Sequence, residues 1–284
     1  FVYCSAMAPY VFGIETRNRV VIDMVDVDSA KWGAYGREAR WPLNQLYFLE
    51  KSRVGVLEKR AVVSCDRALF VSRAEVEEFL KLAPELSGRV GYLENGVDFN
   101  WFNPHAEYPN PFEPCKPSIV FTGVMNYKPN IDAVVWFADE VLPSIQHERP
   151  ATEFWIVGAK PVEKVWRLSV RPGISVTGTV PDVRPYLWRA AVAVAPILTA
   201  RGIQNKVLEA VAAGLPTVVT PNIMSSLPAT IADACAAAET ADALADAIVG
   251  LLEQSPEQRR ALAARARVDA LTWERQLAPV PAVL

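Results

Sequence analysis

Between Ser118 and Thr220 the chain alternates short apolar runs with helical stretches, and this alternation restricts the fold more than any other feature. "SIVFTG" (118–123), "EFWIVG" (153–158), "ISVTG" (174–178), "AVAVAP" (191–196) and "PTVVT" (216–220) read as buried strands. Between and after them, helices are predicted over 130–145, 182–190, 203–213, 241–254 and 256–271. Strands that end in glycine and are joined by helices imply βαβ units and a parallel sheet, hence an α/β fold. Parallel sheets bind ligands outside the carboxyl ends of their strands, so Gly123, Gly158, Gly178 and the loop Thr199–Gly202 are expected along one rim.

The first hundred residues follow the same logic less completely. Strands are predicted over 19–29, 67–72 and 90–95, with helices over 44–64 and 73–83. The opening "FVYCSAMAPYV" has no initiator methionine and reads as the middle of a domain, so earlier strands are expected to be missing. Between the two blocks lies "NGVDFNWFNPHAEYPNPFEPCKPS" (95–118), with five prolines from Pro104 to Pro117. Proline lacks an amide donor and fixes its backbone, so this stretch is a connector rather than a strand or helix interior.

Composition narrows the function classes. The chain has 284 residues, room for two ordinary domains, and 51% are hydrophobic, which excludes disorder. A net charge of −3 without a Lys/Arg block argues against nucleic acid as the main partner. No apolar run approaches the ~18 residues of a membrane-spanning helix. Cys4, Cys65, Cys115 and Cys235 form no CxxC pair, which disfavours a zinc site or disulfide framework and suits a reducing, cytoplasmic compartment.

The most informative stretch is "RGIQNKVLEAVAAGLPTVV" (201–219). Arg201, Gln204, Asn205 and Lys206 fall at or within the first turn of a helix, where free amides and the positive end of the dipole attract phosphate. Glu209 lies three residues beyond Lys206 on the same face, where a carboxylate can accept hydrogen bonds from a ribose diol. Phosphate at the tip with ribose one turn deeper suits a nucleoside diphosphate. The plainer alternative is a surface Lys206–Glu209 pair worth about 0.2–0.5 kcal/mol.

Other candidates carry less. Asp26 and Asp28 of "DVD", if on a strand, share a face and could hold a divalent ion or line a cleft; the remaining oxygen ligands are not evident. His105 and His147 lie in the connector and near a helix end, which weakens any Ser-His-Asp scheme. Cys65 reads as core packing. Trp32 and Trp41 read as core or as sugar or lipid contacts.

"NKVLEAVAAGLPTVV", "LENGVDFNWFNP" and "CDRALFVSRAEVEEF" together resemble the retaining glycosyltransferases of family 4. "SIVFTGVMNYKPNIDAVVWFADEVLPSI" and "VTGTVPDVRPYLWRAAVAVAP" are similar to the sugar transferases of bacterial exopolysaccharide and protein-sorting gene clusters. The resemblance covers nearly the whole chain. It implies a GT-B architecture of two Rossmann-like domains: a partial acceptor-side domain at 1–103, a linker at 104–117, a nucleotide-sugar domain at 118–270, and a segment at 271–284 returning toward the first domain. It further implies that Glu209 holds the donor ribose, that Arg201 and Lys206 serve the diphosphate, that Gly123 allows close approach, and that Thr179 and Val180 face the base. Gln204 and Asn205 complete the donor set, and Asp26 and Asp28 are assigned to the acceptor side. Two departures stand out. Arg201 occupies the place of a second glutamate found in many relatives, and "GVMNYKPN" offers only Lys128 where relatives often carry an Arg/Lys pair.

The function expected is transfer of a sugar from a nucleoside diphosphate sugar to a glycan or lipid-linked acceptor, with retention and without a metal or other cofactor. Peripheral contact with the inner face of the cytoplasmic membrane is part of that expectation. A sugar-nucleotide epimerase would use the same diphosphate cradle but needs acid–base groups at the sugar. A non-catalytic nucleotide-sugar-binding subunit would bind donor without turnover. A dinucleotide dehydrogenase is disfavoured because no GxGxxG follows a strand.

Overall fold

The computed structural model describes residues 1–14, 18–114, 116–198 and 203–280. The chain divides into two compact units, one built on residues 1–96 together with the stretch from Trp273 onward, the other on 97–198 and 204–272. Both are α/β.

In the first unit, β1 (Val2–Tyr3), β2 (Val21–Val25), β3 (Arg67–Phe70) and β4 (Val90–Tyr92) form a parallel sheet in that order. Helices α1 (Asp28–Glu38) and α2 (Leu43–Val63) connect β2 to β3, and α3 (Arg73–Leu82) connects β3 to β4. Ile22, Met24, Phe70 and Phe79 are fully buried between these layers, with the two phenyl rings 5.2 Å apart. Cys65 is buried among them as expected, and burial pushes its thiol up to about 11.

Helix α1 was not expected, because Gly33 and Gly36 each lower helix propensity by roughly 0.5–1 kcal/mol. What they give in return is closeness: a Cβ on Gly36 would stand 2.8 Å from the Phe48 ring of α2. The start of α1 also corrects the strand expected over 19–29. Strand β2 ends at Val25, whose φ of +64° turns the chain, so Asp26 and Asp28 do not share a strand face. Asp28 instead opens α1 and accepts from Ser5 Oγ at 3.0 Å. The amides at this helix start are satisfied from other helices: Val27 N donates to Glu75 Oε2 at 2.7 Å and Ser29 N to Glu58 Oε1 at 3.0 Å. Both carboxylates are buried, and desolvation raises the pKa of Glu58.

In the second unit, β5 (Ser118–Thr122), β6 (Glu153–Val157), β7 (Ile174–Gly178), β8 (Val192–Ala195), β9 (Thr217–Val219) and β10 (Cys235–Ala237) form a wholly parallel sheet. Its order is β10-β9-β8-β5-β6-β7. The chain thus starts at the centre, winds outward through β7, and returns to the other side of β5 at β8. The switch point lies between β5 and β8, where doubly wound sheets take their ligands.

The connecting helices are α4 (Lys128–Trp136), α5 (Leu142–Glu148), α6 (Glu163–Trp166), α7 (Arg184–Arg189) and α8 (Asn205–Ala212). They are followed by α9 (Pro221–Met224), α10 (Ala229–Ala232), α11 (Ala241–Glu253) and α12 (Pro256–Ala263). A π turn at Phe137–Val141 joins α4 to α5 just before Pro143, whose missing amide could not continue an α-helical ladder. Helix α12 opens with a full capping box, Ser255 and Gln258, but stops at Ala263; the helix expected through 271 resumes only as a 3₁₀ turn at Val268–Leu271. A last helix, α13 (Trp273–Leu277), belongs to the first unit, where Trp273 leaves room only for a glycine at position 96.

The exits of β5 and β6 are packed at backbone distance. A Cβ on Gly158 would fall 1.7 Å from the Gly123 carbonyl oxygen. Gly158→Ala is therefore expected to destabilise the second unit by about 2–4 kcal/mol, read as a shift of the denaturant midpoint. A loss below 1 kcal/mol would mean that the two exits are free to separate.

Candidate functional site

The loop leaving β5 and the helix that follows β8 meet at the switch point. Helix α8 starts at Asn205, with Gln204 in extended conformation as its N-cap residue. Lys206 is thus the second helical residue, and its side chain turns toward β5 instead of solvent. The ammonium donates to Asn130 Oδ1 at 2.6 Å and lies 4.5 Å from the centre of the fully buried Phe121 ring. A Cβ on Gly123 would stand 3.4 Å from Lys206 Nζ and 2.8 Å from Asn130 Nδ2. Glycine at 123 keeps open the space directly in front of the cation.

Lys206 as a whole retains some solvent exposure, while its charged end lies against Asn130 and the Phe121 ring. Burial lowers its pKa to about 7, opposed by the Glu209 carboxylate. Glu209 sits half-buried one turn along the same face, and burial raises its pKa against the pull of Lys206. Two desolvated groups of opposite charge sit at the start of a helix, where the positive end of the dipole favours an anion.

Asn130 is the residue that sequence reasoning missed. It is 5% exposed, comes from the first turn of α4, and its Nδ2 donates to Val124 O at 2.9 Å. That bond fixes the amide so that its oxygen faces Lys206. An asparagine in "YKPNID" carries no signal of this; only the fold brings α4 and α8 together. Lys128, the one cation available after β5, pairs with Asp132 at 2.6 Å on an exposed helix face.

The other expected residues are placed as follows. Gly123 and Gly158 sit at the exits of β5 and β6, and Gly178 ends β7, so these three glycines lie on one rim. Thr179 follows β7 in an exposed position, and Val180 packs against the core cluster of Val120, Val157 and Leu187. Asn205 is exposed at the helix start. Arg201, with the loop Thr199–Gly202, lies outside the described residues. The chain entering that loop is tied down: Thr220 Oγ1 donates to Ile197 O at 2.7 Å and Asn222 Nδ2 to Leu198 O at 2.8 Å. His105 lines a cavity of about 430 Å³ with Ala212, Gly214 and Arg260 at the opposite end of α8. In the first unit, Trp32 packs on Tyr35 and Tyr47, and Trp41 is 78% exposed. Among the described residues, no group of three or more His, Cys, Asp or Glu is placed to hold a metal ion.

Residues 116–254, just under half of the chain, match the family described as glycosyl transferases group 1. No curated protein matches the chain. In structure it is similar to a sucrose-phosphate synthase from Thermosynechococcus elongatus, with a TM-score of 0.72 at 17% identity over 99% of this chain and 71% of that one. It is also similar to WaaG, a glycosyltransferase involved in lipopolysaccharide biosynthesis, with a TM-score of 0.68 at 22% identity over 92% of this chain and 73% of that one. A third likeness is to HepE of Anabaena, whose structure holds UDP and glucose, with a TM-score of 0.65 at 13% identity over 94% and 72% of the two chains. The fold is GT-B, and the match over residues 116–254 together with these neighbours supports a glycosyltransferase.

Proposed function

We propose that the chain transfers a sugar, with retention, from a nucleoside diphosphate sugar to a glycan or lipid-linked acceptor in exopolysaccharide assembly. The observation that carries this reading is the Lys206 ammonium, held by Asn130 in front of Gly123 at the switch point. Its location in HepE-like and WaaG-like architecture agrees with a donor site, and HepE itself was solved with UDP and glucose.

The chemistry follows from charge. As the glycosidic bond to the diphosphate breaks, negative charge grows on the leaving oxygen. Lys206 is already oriented and desolvated there at the positive end of α8, so it stabilises that charge without the reorganisation that water would need. Arg201 is assigned a supporting role at the phosphates. Glu209 accepts from the ribose hydroxyls, with Gln204 and Asn205 beside it and Thr179 and Val180 toward the base. The leaving phosphate takes the proton of the incoming acceptor hydroxyl on the same face, which accounts for retention with no covalent enzyme intermediate. No metal is assigned a part.

Calorimetric titration with UDP, GDP and ADP, with and without magnesium, tests the donor site and identifies its base. One nucleotide is expected to bind without magnesium, and Lys206→Ala to weaken it about 10- to 100-fold. Glu209→Ala is expected to weaken the nucleotide more than it weakens inorganic diphosphate. Equal affinity in wild type and Lys206→Ala would rule out this assignment.

A pH dependence follows from the lowered pKa. Between about 7 in the folded chain and the ordinary lysine value of about 10.4, the unfolded chain holds a proton that the folded one lacks. Stability is therefore expected to rise with pH across that window. Lys206→Met should flatten the rise, as followed by denaturant midpoints from pH 6.5 to 10. A bound diphosphate favours the charged ammonium, so binding at pH 8.5 should take up close to one proton, seen as a buffer-dependent enthalpy that Lys206→Met abolishes.

A further inference from the structure

A strained lysine stands at the exit of β6. Lys160, two residues after Gly158, has a φ of +57° and an exposed side chain. The left-handed region favours glycine, and a residue before proline, here Pro161, prefers extended backbone. The Cβ of Lys160 therefore costs folding free energy twice over. Among the described residues its ammonium has no hydrogen-bond or ion-pair partner, so no contact within the fold offsets that cost. A side chain kept at such a position has work outside the fold.

The loop that carries it is tied to the β5 exit. Gly123 N donates to Val157 O at 3.1 Å, Met125 N to Ala159 O at 2.7 Å, and Val162 N to Met125 O at 3.4 Å. Residues 159–162 thus wrap around Met125, which is fully buried and fixes the loop from below. The Gly123 position that looks on Lys206 Nζ is in backbone contact with Gly158. One strand spacing, about 4.8 Å, separates the two exits. That distance is within the span of a lysine's four-carbon stem.

Charge gives the position its meaning. A nucleoside diphosphate brings two phosphates, and Lys206 faces the space in front of Gly123 with one ammonium. Lys128 of the β5 exit pairs with Asp132 on an exposed helix face. We propose that Lys160 is a second cation of the donor site, reaching from the β6 exit to the diphosphate that Lys206 holds from the β8 side. This assignment rests on the donor site described under the proposed function. The two lysines divide the task. Lys206 is desolvated and fixed by Asn130, so it sets where the charge sits. Lys160 is exposed on a flexible stem, so it meets the anion in water and closes onto it.

Calorimetric titration of the 284-residue chain tests this with two probes: inorganic diphosphate, and whichever of UDP, GDP and ADP binds. The proteins are wild type, Lys160→Gly and Lys160→Arg. Glycine removes the charge and the strain together, so affinity and stability are expected to part company. Both probes should bind Lys160→Gly about tenfold more weakly, with the difference shrinking as salt rises. Its denaturant midpoint should stay level or increase. Lys160→Arg should keep most of the affinity. Wild-type affinity of Lys160→Gly for both probes would overturn the proposal. A loss for the nucleotide without a loss for inorganic diphosphate would also overturn it, by moving the lysine to the base or ribose. A lowered midpoint in Lys160→Gly would show that the side chain serves the fold instead. The donor site itself fails by a different result, nucleotide binding that ignores Lys206→Ala. Binding weakened by Lys206→Ala and untouched by Lys160→Gly removes the second cation alone, and no nucleotide binding by the wild type overturns both.

Discussion

A buried ammonium must be held by something, and in this chain the holding determines what surrounds it. Lys206 is short of water, and its charge is supported by an oxygen fixed in place, that of Asn130, by the aromatic face of Phe121 and by the nearby Glu209 carboxylate. Asn130 can serve only because Val124 O takes its other end, and Val124 lies in the turn that Gly123 makes possible. The switch point of the sheet supplies the geometry. With β5 central and β8 beside it, the turn after one strand and the helix after the other have to meet.

The first unit settles a similar problem with carboxylates. The amides at the start of α1 point into a buried region, and Glu58 and Glu75 reach them from two different helices. One constraint thereby ties α1, α2 and α3 together at a single locus. It also places a carboxylate on the buried side of α2, beside Gly55 and Ala61.

Much of the second unit was legible in the sequence because a buried parallel sheet writes each strand as a continuous apolar run. All five strands expected there are present, and the glycines at three of their exits share one rim. The failures have identifiable causes. Cys235–Ala237 forms an edge strand of small residues, which carries neither alternation nor β-branching. Helix α1 was hidden by glycines whose value lies in contact with α2. The Asp26–Asp28 pair was read on a strand because nothing local announces that Val25 adopts a positive φ. At the candidate site, the placement of Lys206 and Glu209 one turn apart at a helix start was legible from helix position, whereas the contact with Asn130, 76 residues away, depends on tertiary structure.

The π turn between α4 and α5 has a consequence for how the site is registered against the core. Asn130 at one end and Ile145 at the other are both buried. In an uninterrupted α-helix two residues so spaced would be rotated by about 60° from one another. The wider turn at Phe137–Val141 takes up one extra residue and so changes the phase between the two ends. It lets one length of helix serve two masters: an amide aimed at a cation near the rim, and an isoleucine seated in the hydrophobic layer at the far end.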